Sequence, residues 1–261
     1  GKNIAIGVQA LEDQNAGADA YNIAIGHQAG RDVTTGTENT ILGGLAGDAL
    51  TTGSQNIAIG YSALGSEDTG SRNIAIGRGA LGALNNDANS YNIGIGHSAG
   101  AAVTTGVRNV LIGGLAGDAL TTGGNNIAIG YEALTTEDGD GRNIAIGTNS
   151  LQNLNAGSDA YNVAVGFASG AAMTTGIRNT IVGSLAGDAL TTGNYNVAVG
   201  YEALGAEDAH GANVAVGYKT LRLQDAGAEA YNVAVGYYAG LSVTTGINSV
   251  LVGGLAGDAL T

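Results

Sequence analysis

A short repeated unit is the feature that most constrains how this chain can fold. The unit has the form Asn-(Ile/Val)-Ala-(Ile/Val)-Gly, with drift at single positions, and it begins fifteen times along 261 residues. Successive starts are 19, 17, 17 and 17 residues apart, and this order recurs, which defines superrepeats over residues 3–72, 73–142 and 143–212 and a partial one over 213–261. Such repeats predict a stack of near-identical coils. We therefore predict a single repeat domain over residues 1–261.

Each unit carries the hydrophobic pattern of a short β-strand. In the unit that starts at Asn56, Ile57 and Ile59 alternate with Ala58, and glycine and polar residues follow. This alternation predicts a strand of about four residues, a turn, a second short extended piece and a longer turn. The glycine spacing argues against a helix. The predicted fold class is all-β, a parallel β-roll or β-solenoid of about fifteen coils with 17 to 19 residues each.

The fifth residue of every unit is glycine. A position that never carries a Cβ predicts a positive φ angle or a close approach of neighbouring backbone at a corner of the coil. The predicted corner glycines are Gly7, Gly26, Gly43, Gly60, Gly77, Gly96, Gly113, Gly130, Gly147, Gly166, Gly183, Gly200, Gly217, Gly236 and Gly253.

The first residue of the unit is Asn in every case except Ser249. Identical Asn side chains that stack in register form hydrogen-bonded ladders along the stack. The predicted ladder consists of Asn3, Asn22, Asn39, Asn56, Asn73, Asn92, Asn109, Asn126, Asn143, Asn162, Asn179, Asn196, Asn213 and Asn232.

Two further slots predict how the coils pack. Three residues after the corner glycine stands Ala, Ser or Thr, and the next residue is either Leu or Gly; units with Gly carry Val, Leu or Met three residues further on. Each coil thus keeps at least one large apolar side chain for its core. On the strand, the two residues that flank the central Ala drift together from Ile to Val, which places them on one packed face. We expect the Ala face to be the surface that another chain approaches closely.

Composition excludes several classes of function. The formal charge is −13 with only nine Lys and Arg, so no basic stripe is available for nucleic acid or an anionic membrane surface. There is no Cys, which removes thiolate metal sites and cysteine catalysis. No apolar run approaches the roughly 20 residues that cross a bilayer, so we predict no membrane insertion.

Motifs that carry chemistry are weak in this chain. Residues 96–100 match G-x-S-x-G and residues 77–82 match G-x-G-x-x-G, but the Ser is one of several residues found in its slot and no helix is predicted after the glycines. The chain is therefore predicted not to be an enzyme, with no catalytic and no cofactor-binding residues.

Metal binding is also not predicted from the sequence. His27, His97 and His210 have no second ligand type at metal-binding spacing and are interpreted as solvent-facing. The acidic pairs at 67–68, 137–138 and 207–208, and the Asp of each Gly-Asp-Ala-Leu segment, are interpreted as solvated turns, with weak calcium binding as the alternative.

Tyrosines are the candidate contact residues. Tyr61, Tyr131 and Tyr201 each follow a corner glycine, and an amphipathic ring there can stack on carbohydrate or cover the edge of a coil. The second interpretation is favoured.

Residues 56–64 (Asn-Ile-Ala-Ile-Gly-Tyr-Ser-Ala-Leu) and 196–204 (Asn-Val-Ala-Val-Gly-Tyr-Glu-Ala-Leu) resemble the Asn-Thr-Ala-Ile-Gly-Tyr-x-Ala-Leu repeats of bacteriophage tail-fibre shafts. The chain is more distantly similar to the β-roll heads of trimeric autotransporter adhesins. This resemblance implies a left-handed roll in a parallel homotrimer, located outside the cell on a virion or cell surface. It implies a structural shaft that serves attachment to a host glycan or protein.

Two alternatives to a phage fibre stay open from the sequence. A bacterial trimeric surface adhesin would have the same repeats. An ice-binding solenoid is suggested by the Thr-Thr pairs, although the matching slots hold Asp68-Thr69 in one coil and Asn15-Ala16 in another, which interrupts a regular Thr array.

Overall fold

The computed structural model describes residues 1–139 and 141–261. Its backbone divides into two compact units, Gly1–Ala128 and Ile129–Thr261. Each unit is a parallel β-solenoid, which confirms the predicted fold class. The described residues contain no helix, and so none of the long apolar kind that crosses a bilayer. The left-handed sense implied by the resemblance stays a prediction.

Each coil contributes one strand of three residues. The strands are β1 Ile4–Ile6, β2 Ile23–Ile25, β3 Thr40–Leu42, β4 Ile57–Ile59, β5 Ile74–Ile76, β6 Ile93–Ile95, β7 Val110–Ile112, β8 Ile127–Ile129, β9 Ile144–Ile146, β10 Val163–Val165, β11 Thr180–Val182, β12 Val197–Val199, β13 Val214–Val216, β14 Val233–Val235 and β15 Val250–Val252. Strands β1 to β7 belong to the first unit and β9 to β15 to the second, and in each unit they pair in chain order.

The register between coils places equivalent residues side by side. Ile57 pairs with Ile74 and Ala58 with Ala75, for example, so every slot forms a column along the unit. Beyond the strands, backbone hydrogen bonds continue from coil to coil, as from the Leu11 N–H to the Ala29 carbonyl at 3.1 Å. The predicted second extended piece is wrong, because the residues after the corner glycine form turns.

The central residue of the strand points into the coil, and the flanking residues point outward. Ala58 is fully buried, whereas Ile57 and Ile59 are partly exposed, and the same pattern recurs in the inner coils of both units. The expectation that Ala forms the outer surface is therefore wrong. The residues on either side of Ala do share a face, because successive strand residues alternate between faces, but that face is the outer one.

Where one coil has small residues in its core, a large core residue of the neighbouring coil fills the space. Ile41 replaces Ala in the central slot of β3, and its Cδ1 lies 2.7 Å from where a Cβ of Gly30 would stand and 3.6 Å from that of Gly47. A large strand residue thus fills the space left by glycines in the Leu/Gly slot. Close packing of protein interiors requires this kind of compensation.

The large apolar residues predicted from the slots line the core. Leu11, Leu64, Leu81, Leu134, Leu151, Leu204, Leu221, Val33, Leu50, Val103, Leu120, Met173, Leu190 and Val243 are buried. Leu260, in the last coil, is 52 % exposed. Leu84 and Leu154 are also fully buried and were not singled out from the sequence, because Gln14 and Gln224 occupy the same slot in the other superrepeats.

The corner glycines combine an unusual backbone angle with a close contact. Their φ angles lie between 126° and 142°. A Cβ added to Gly60 would stand 2.6 Å from the carbonyl of Gly77 in the next coil, and one added to Gly147 would stand 2.2 Å from the carbonyl oxygen of Gly166. No side chain fits such a contact, so each corner both turns the chain and lets the next coil approach.

The Asn side chains at the unit starts bind the coils to one another. In the pairs that the structure describes, Oδ1 of one Asn accepts the backbone N–H of the next at 2.8 to 3.2 Å, as Asn92 does from Asn109. The side-chain Nδ2 donates within its own coil, for example from Asn109 to the Gly123 carbonyl at 2.9 Å. In Asn109, both polar ends of a fully buried side chain are thereby satisfied.

Three further slots per coil adopt positive φ without requiring glycine. They are the residue before each Asn, the second residue after the corner glycine and the Leu/Gly slot, where Leu64 has φ 53° and Gly47 has φ 48°. Left-handed conformations are unfavourable for residues with a Cβ. Burial of the Leu side chain offsets this cost, which explains why only Leu and Gly occur in that slot.

The two extra residues of the 19-residue coils lie in an exposed loop. Residues 85–89, 155–159 and 225–229 of these coils are almost entirely exposed, and Gly157 has open space around its Cα. The backbone rejoins the neighbouring coil on both sides, for instance through Asn155 N–H to the Thr174 carbonyl at 2.7 Å. The difference in coil length is therefore absorbed outside the core.

Candidate functional site

The outward face of the strands forms a continuous apolar surface along each unit. In the first unit it is formed by Ile4, Ile6, Ile23, Ile25, Thr40, Leu42, Ile57, Ile59, Ile74, Ile76, Ile93, Ile95, Val110 and Ile112. In the second unit it is formed by Ile144, Ile146, Val163, Val165, Thr180, Val182, Val197, Val199, Val214, Val216, Val233, Val235, Val250 and Val252. We call each set an aliphatic strip, since Thr40 and Thr180 are its only polar members.

Each aliphatic strip is long enough to be an interaction surface. Seven strands about 4.8 Å apart, with two outward side chains each, cover an area on the order of 300 Å². The largest apolar patch on a typical monomeric protein is of about this size and is often functional. No strand of the described residues contains a charged residue, so the acidic groups of these residues lie in the turns and loops.

The scarce basic residues are mostly engaged with tyrosine rings. Six of the nine Lys and Arg side chains lie 5.2 to 5.9 Å from the centre of a Tyr ring. The pairs are Lys2 with Tyr21, Arg72 with Tyr91, Arg78 with Tyr61, Arg142 with Tyr161, Arg178 with Tyr195, and Lys219 with Tyr201 and Tyr218. Every pair except Lys219 with Tyr218 joins two coils, so these cations contribute to stacking.

The candidate contact tyrosines occupy equivalent positions on the outside of the coils, Tyr61 in the first unit and Tyr131 and Tyr201 in the second. Tyr61, Tyr131 and Tyr201 are 53 %, 52 % and 40 % exposed. Tyr201 continues into a stack with Tyr218 and Tyr237, in which successive ring centres lie 5.5 Å apart, and Tyr238 packs edge-on against the last two rings. Sequence reasoning missed Tyr218 and Tyr237, although both also follow corner glycines. A cation lies over the ring of Tyr61, and a cation and a neighbouring ring lie against Tyr201.

The acidic turns are not solvated in the way the sequence indicated. Glu67, Glu137 and Glu207 are fully buried. The carboxylate of Glu67 accepts hydrogen bonds from the backbone N–H groups of Gly70 at 2.7 Å and of Asn86, in the next coil, at 3.3 Å. Burial raises the pKa of Glu67, and these two hydrogen bonds oppose the shift. The interpretation as solvated turns is thus wrong for these three Glu residues.

One acidic turn also contains a histidine. Glu207, Asp208 and His210 from one coil and Asp225 from the next each bring one ligand atom to within 4.8 Å of the others. The interpretation of His210 as solvent-facing, without a second ligand type nearby, is therefore wrong. The sequence hid this group because Asp225 lies in a different coil. His27 and His97 lie in another column and are not part of the group.

The remaining motifs have no chemistry-bearing geometry. No helix follows the glycines at 77–82, so the dinucleotide-binding arrangement lacks its helix N-terminus among the described residues. The exposed Thr35 and Thr52 occupy consecutive coils, and Thr69 follows, but Asp68 takes the place of the preceding Thr.

Comparisons of the chain with protein-family models, with curated proteins and with solved structures find no match.

Proposed function

We propose that this chain is a structural, non-enzymatic segment of an extracellular attachment fibre, in which copies of the chain associate side by side. The observation that carries the proposal is the aliphatic strip on the outside of each unit. A strip of Ile, Val and Leu side chains that recurs at every coil offers a second copy the same surface at the same spacing. Burial of these side chains would stabilise the assembly, at roughly 25 cal/mol per Å² of apolar area removed from water.

The position of the charges supports association between identical chains. Each copy carries a formal charge of −13, so two copies repel each other unless the charges are kept away from the contact. The strands that carry the strips contain no charge, and the acidic residues lie in the turns. Three parallel copies are proposed from the resemblance to tail-fibre shafts, together with location on a virion.

Attachment is the second part of the proposal. The exposed tyrosines after the corner glycines, Tyr61 in the first unit and Tyr131 and Tyr201 in the second, are the proposed contact residues for a host glycan or protein. A bacterial surface adhesin would use the same two surfaces and is the runner-up. An ice-binding solenoid is the weaker alternative, because Asp68 interrupts the Thr column, and thermal hysteresis measurements on the purified chain would test it.

The molar mass in solution tests the association. Size-exclusion chromatography with light scattering should give three times the chain mass of 25.5 kDa. The double variant Ile59→Lys and Val199→Lys, with one charge in each aliphatic strip, should give the mass of one chain with unchanged β-structure by circular dichroism. Gln55→Lys changes the exposed residue that precedes Asn56, outside the aliphatic strip. It is the matched control and should keep the wild-type mass. A wild-type protein with the mass of one chain would reject the association.

A further inference from the structure

The turn at residues 207–210 and the loop that begins at Asp225 enclose an arrangement that the proposed function does not use. Among the described residues, Glu207, Asp208, His210 and Asp225 are the group whose ligand atoms lie mutually within 4.8 Å. One member is an imidazole and three are carboxylates. All four belong to the second unit and join two consecutive coils.

Two buried atoms in this group lack a hydrogen-bond partner. Glu207 is fully buried, and its Oε1 accepts the backbone N–H of His210 at 3.1 Å. Its other oxygen, Oε2, has no partner, and neither does Nδ1 of His210, which lies 3.4 Å from Glu207 Oε1. Buried polar atoms in folded proteins are nearly always satisfied, so two unpaired atoms in one turn mark a place where a ligand can bind.

The equivalent turn two superrepeats earlier is a built-in comparison. Glu67 occupies the position of Glu207, and both of its oxygens accept backbone N–H groups, from Gly70 and Asn86. In the later copy His210 stands in place of Gly70, Asp225 in place of Asn85, and Ala226 in place of Asn86. The turn has therefore gained an imidazole and a carboxylate, and Oε2 of Glu207 does not accept the backbone hydrogen bond from the next coil that Oε2 of Glu67 accepts.

The backbone around the group is held in position by the neighbouring coils. The Asp208 carbonyl accepts the backbone N–H of Thr191 in the preceding coil, and the Asp225 N–H donates to the Thr244 carbonyl in the following coil at 2.8 Å. Glu207 is fixed by burial, whereas the side chains of Asp208 and Asp225 are exposed and free to rotate. Rigid supports with two adjustable ligands suit the binding of an ion.

The donor set indicates which ion fits. Zinc bonds to carboxylate oxygen and imidazole nitrogen are about 2.0–2.2 Å long, and zinc is almost always four-coordinate and tetrahedral, so its ligand atoms lie about 3.4 Å apart. The observed spread of 4.8 Å needs a contraction of about 1.4 Å, to which the exposed side chains of Asp208 and Asp225 can contribute. Imidazole suits zinc and other first-row transition metals, whereas calcium prefers a shell of six to eight oxygens.

We propose that Glu207, Asp208, His210 and Asp225 bind a divalent transition-metal ion, represented by Zn²⁺, which links the two coils. The inference is independent of the proposed fibre function, because the site is complete within a single chain. The earlier interpretation of weak calcium binding is replaced by a different ion at one particular turn.

The test is calorimetric titration of the untagged chain after chelator treatment, with ZnCl₂, MnCl₂ and CaCl₂ as probes. One Zn²⁺ per chain is expected, with Ca²⁺ binding much more weakly. His210→Gly and Asp225→Asn install the residues that sister coils already carry, so both variants should fold. Each should lower the Zn²⁺ affinity at least about tenfold, since even residues that only orient metal ligands contribute that much.

The control is His97→Phe, which removes a histidine from the slot where Phe167 stands in the next superrepeat and should leave Zn²⁺ binding unchanged. As a second readout, Zn²⁺ should raise the Tm of the wild type and of His97→Phe but not of His210→Gly or Asp225→Asn. Absence of Zn²⁺ binding by the wild type, wild-type affinity in both site variants, or equal affinity for Ca²⁺ would each overturn the proposal.

Discussion

The backbone N–H of Asn109 donates to Oδ1 of Asn92 at 2.9 Å, so a side chain of one coil caps the backbone of the next. Asn109 repeats the contact toward Asn126 at 2.9 Å, and its Nδ2 donates to the Gly123 carbonyl. The Asn ladder is thus a second set of bonds between coils, beside the strand pairing. Its members are buried, so the loss of one of these hydrogen bonds leaves a polar group unpaired in an apolar environment.

Asn109→Ala should strongly destabilise the first unit. The change leaves the Asn126 N–H and the Gly123 carbonyl buried without these partners, at about 1–3 kcal/mol for each group. Gln55→Ala is the control, because Gln55 hydrogen-bonds only to exposed Glu38 and Arg72 side chains. Urea unfolding should show a clear loss for Asn109→Ala and a change of at most about 0.5 kcal/mol for Gln55→Ala. Equal effects would contradict a structural role for the ladder.

The corner glycines allow the backbone angle and the steric contact to be separated. Gly60 and Gly253 have φ angles of 129° and 126°, but a Cβ on Gly60 would meet the Gly77 carbonyl at 2.6 Å, whereas one on Gly253 meets nothing within 4 Å. Gly253→Ala should therefore cost only the backbone strain, about 1–3 kcal/mol. Gly60→Ala should cost clearly more in thermal unfolding. Similar costs would mean that the contact between coils is unimportant.

Adjacent residues of β3 test which face of the strand is inside. Ile41 is fully buried, and Leu42 belongs to the aliphatic strip. Ile41→Ala should destabilise the chain by about 2–5 kcal/mol, because it leaves a cavity between coils. Leu42→Ala should cost less than about 1 kcal/mol when measured on a non-associating background such as Ile59→Lys with Val199→Lys. The reverse order of these two costs would restore the expectation that Ala faces outward.

The buried Glu67 predicts a pH dependence with a defined sign. Burial raises its pKa in the folded state above the ordinary value of 4.5, so the folded state holds the proton more tightly than the unfolded state. The unfolding free energy contributed by this group should then fall as pH rises from 4.5 through the raised pKa, and stay low above it.

Glu67→Gln removes this titration. The Tm of the variant relative to wild type should rise between pH 4 and pH 7, measured by differential scanning calorimetry. Glu12→Gln removes a negative charge from an exposed position and serves as the control for overall charge. A Tm difference between Glu67→Gln and wild type that is independent of pH would show that Glu67 is not desolvated in solution.

The exposed loops of the 19-residue coils should accept insertions. Two residues, Gly-Ser, added after Gly157 lie in open space and should cost less than about 1 kcal/mol, because loop closure depends weakly on length. The same insertion after Val165 moves the corner glycine Gly166 away from Gly147 and Gly183, and should unfold the second unit or lower its Tm sharply. Limited proteolysis and circular dichroism would distinguish the two outcomes.

The repeat is sufficient to predict the coils, the strand position and the columns, because equivalent residues can be compared within one chain. It predicts that Ile57 and Ile59 share a face but not that this face is outside, since alternation is symmetric with respect to the core. Burial of Glu67 depends on the Asn86 N–H of the next coil, and the group around His210 depends on Asp225. Contacts between coils of this kind require the three-dimensional register, which a linear pattern does not contain.

The exposed loop and the close-fitting corners together determine how such a chain can change in length over evolution. A slip during replication that adds or removes a few codons is tolerated where the loop leaves the core, because the following coil still docks in phase. Anywhere else the same slip displaces every later corner from its partner. Gain or loss is then viable only in whole coils, and each step extends or shortens the outer strip by one pair of side chains while leaving its chemistry unchanged.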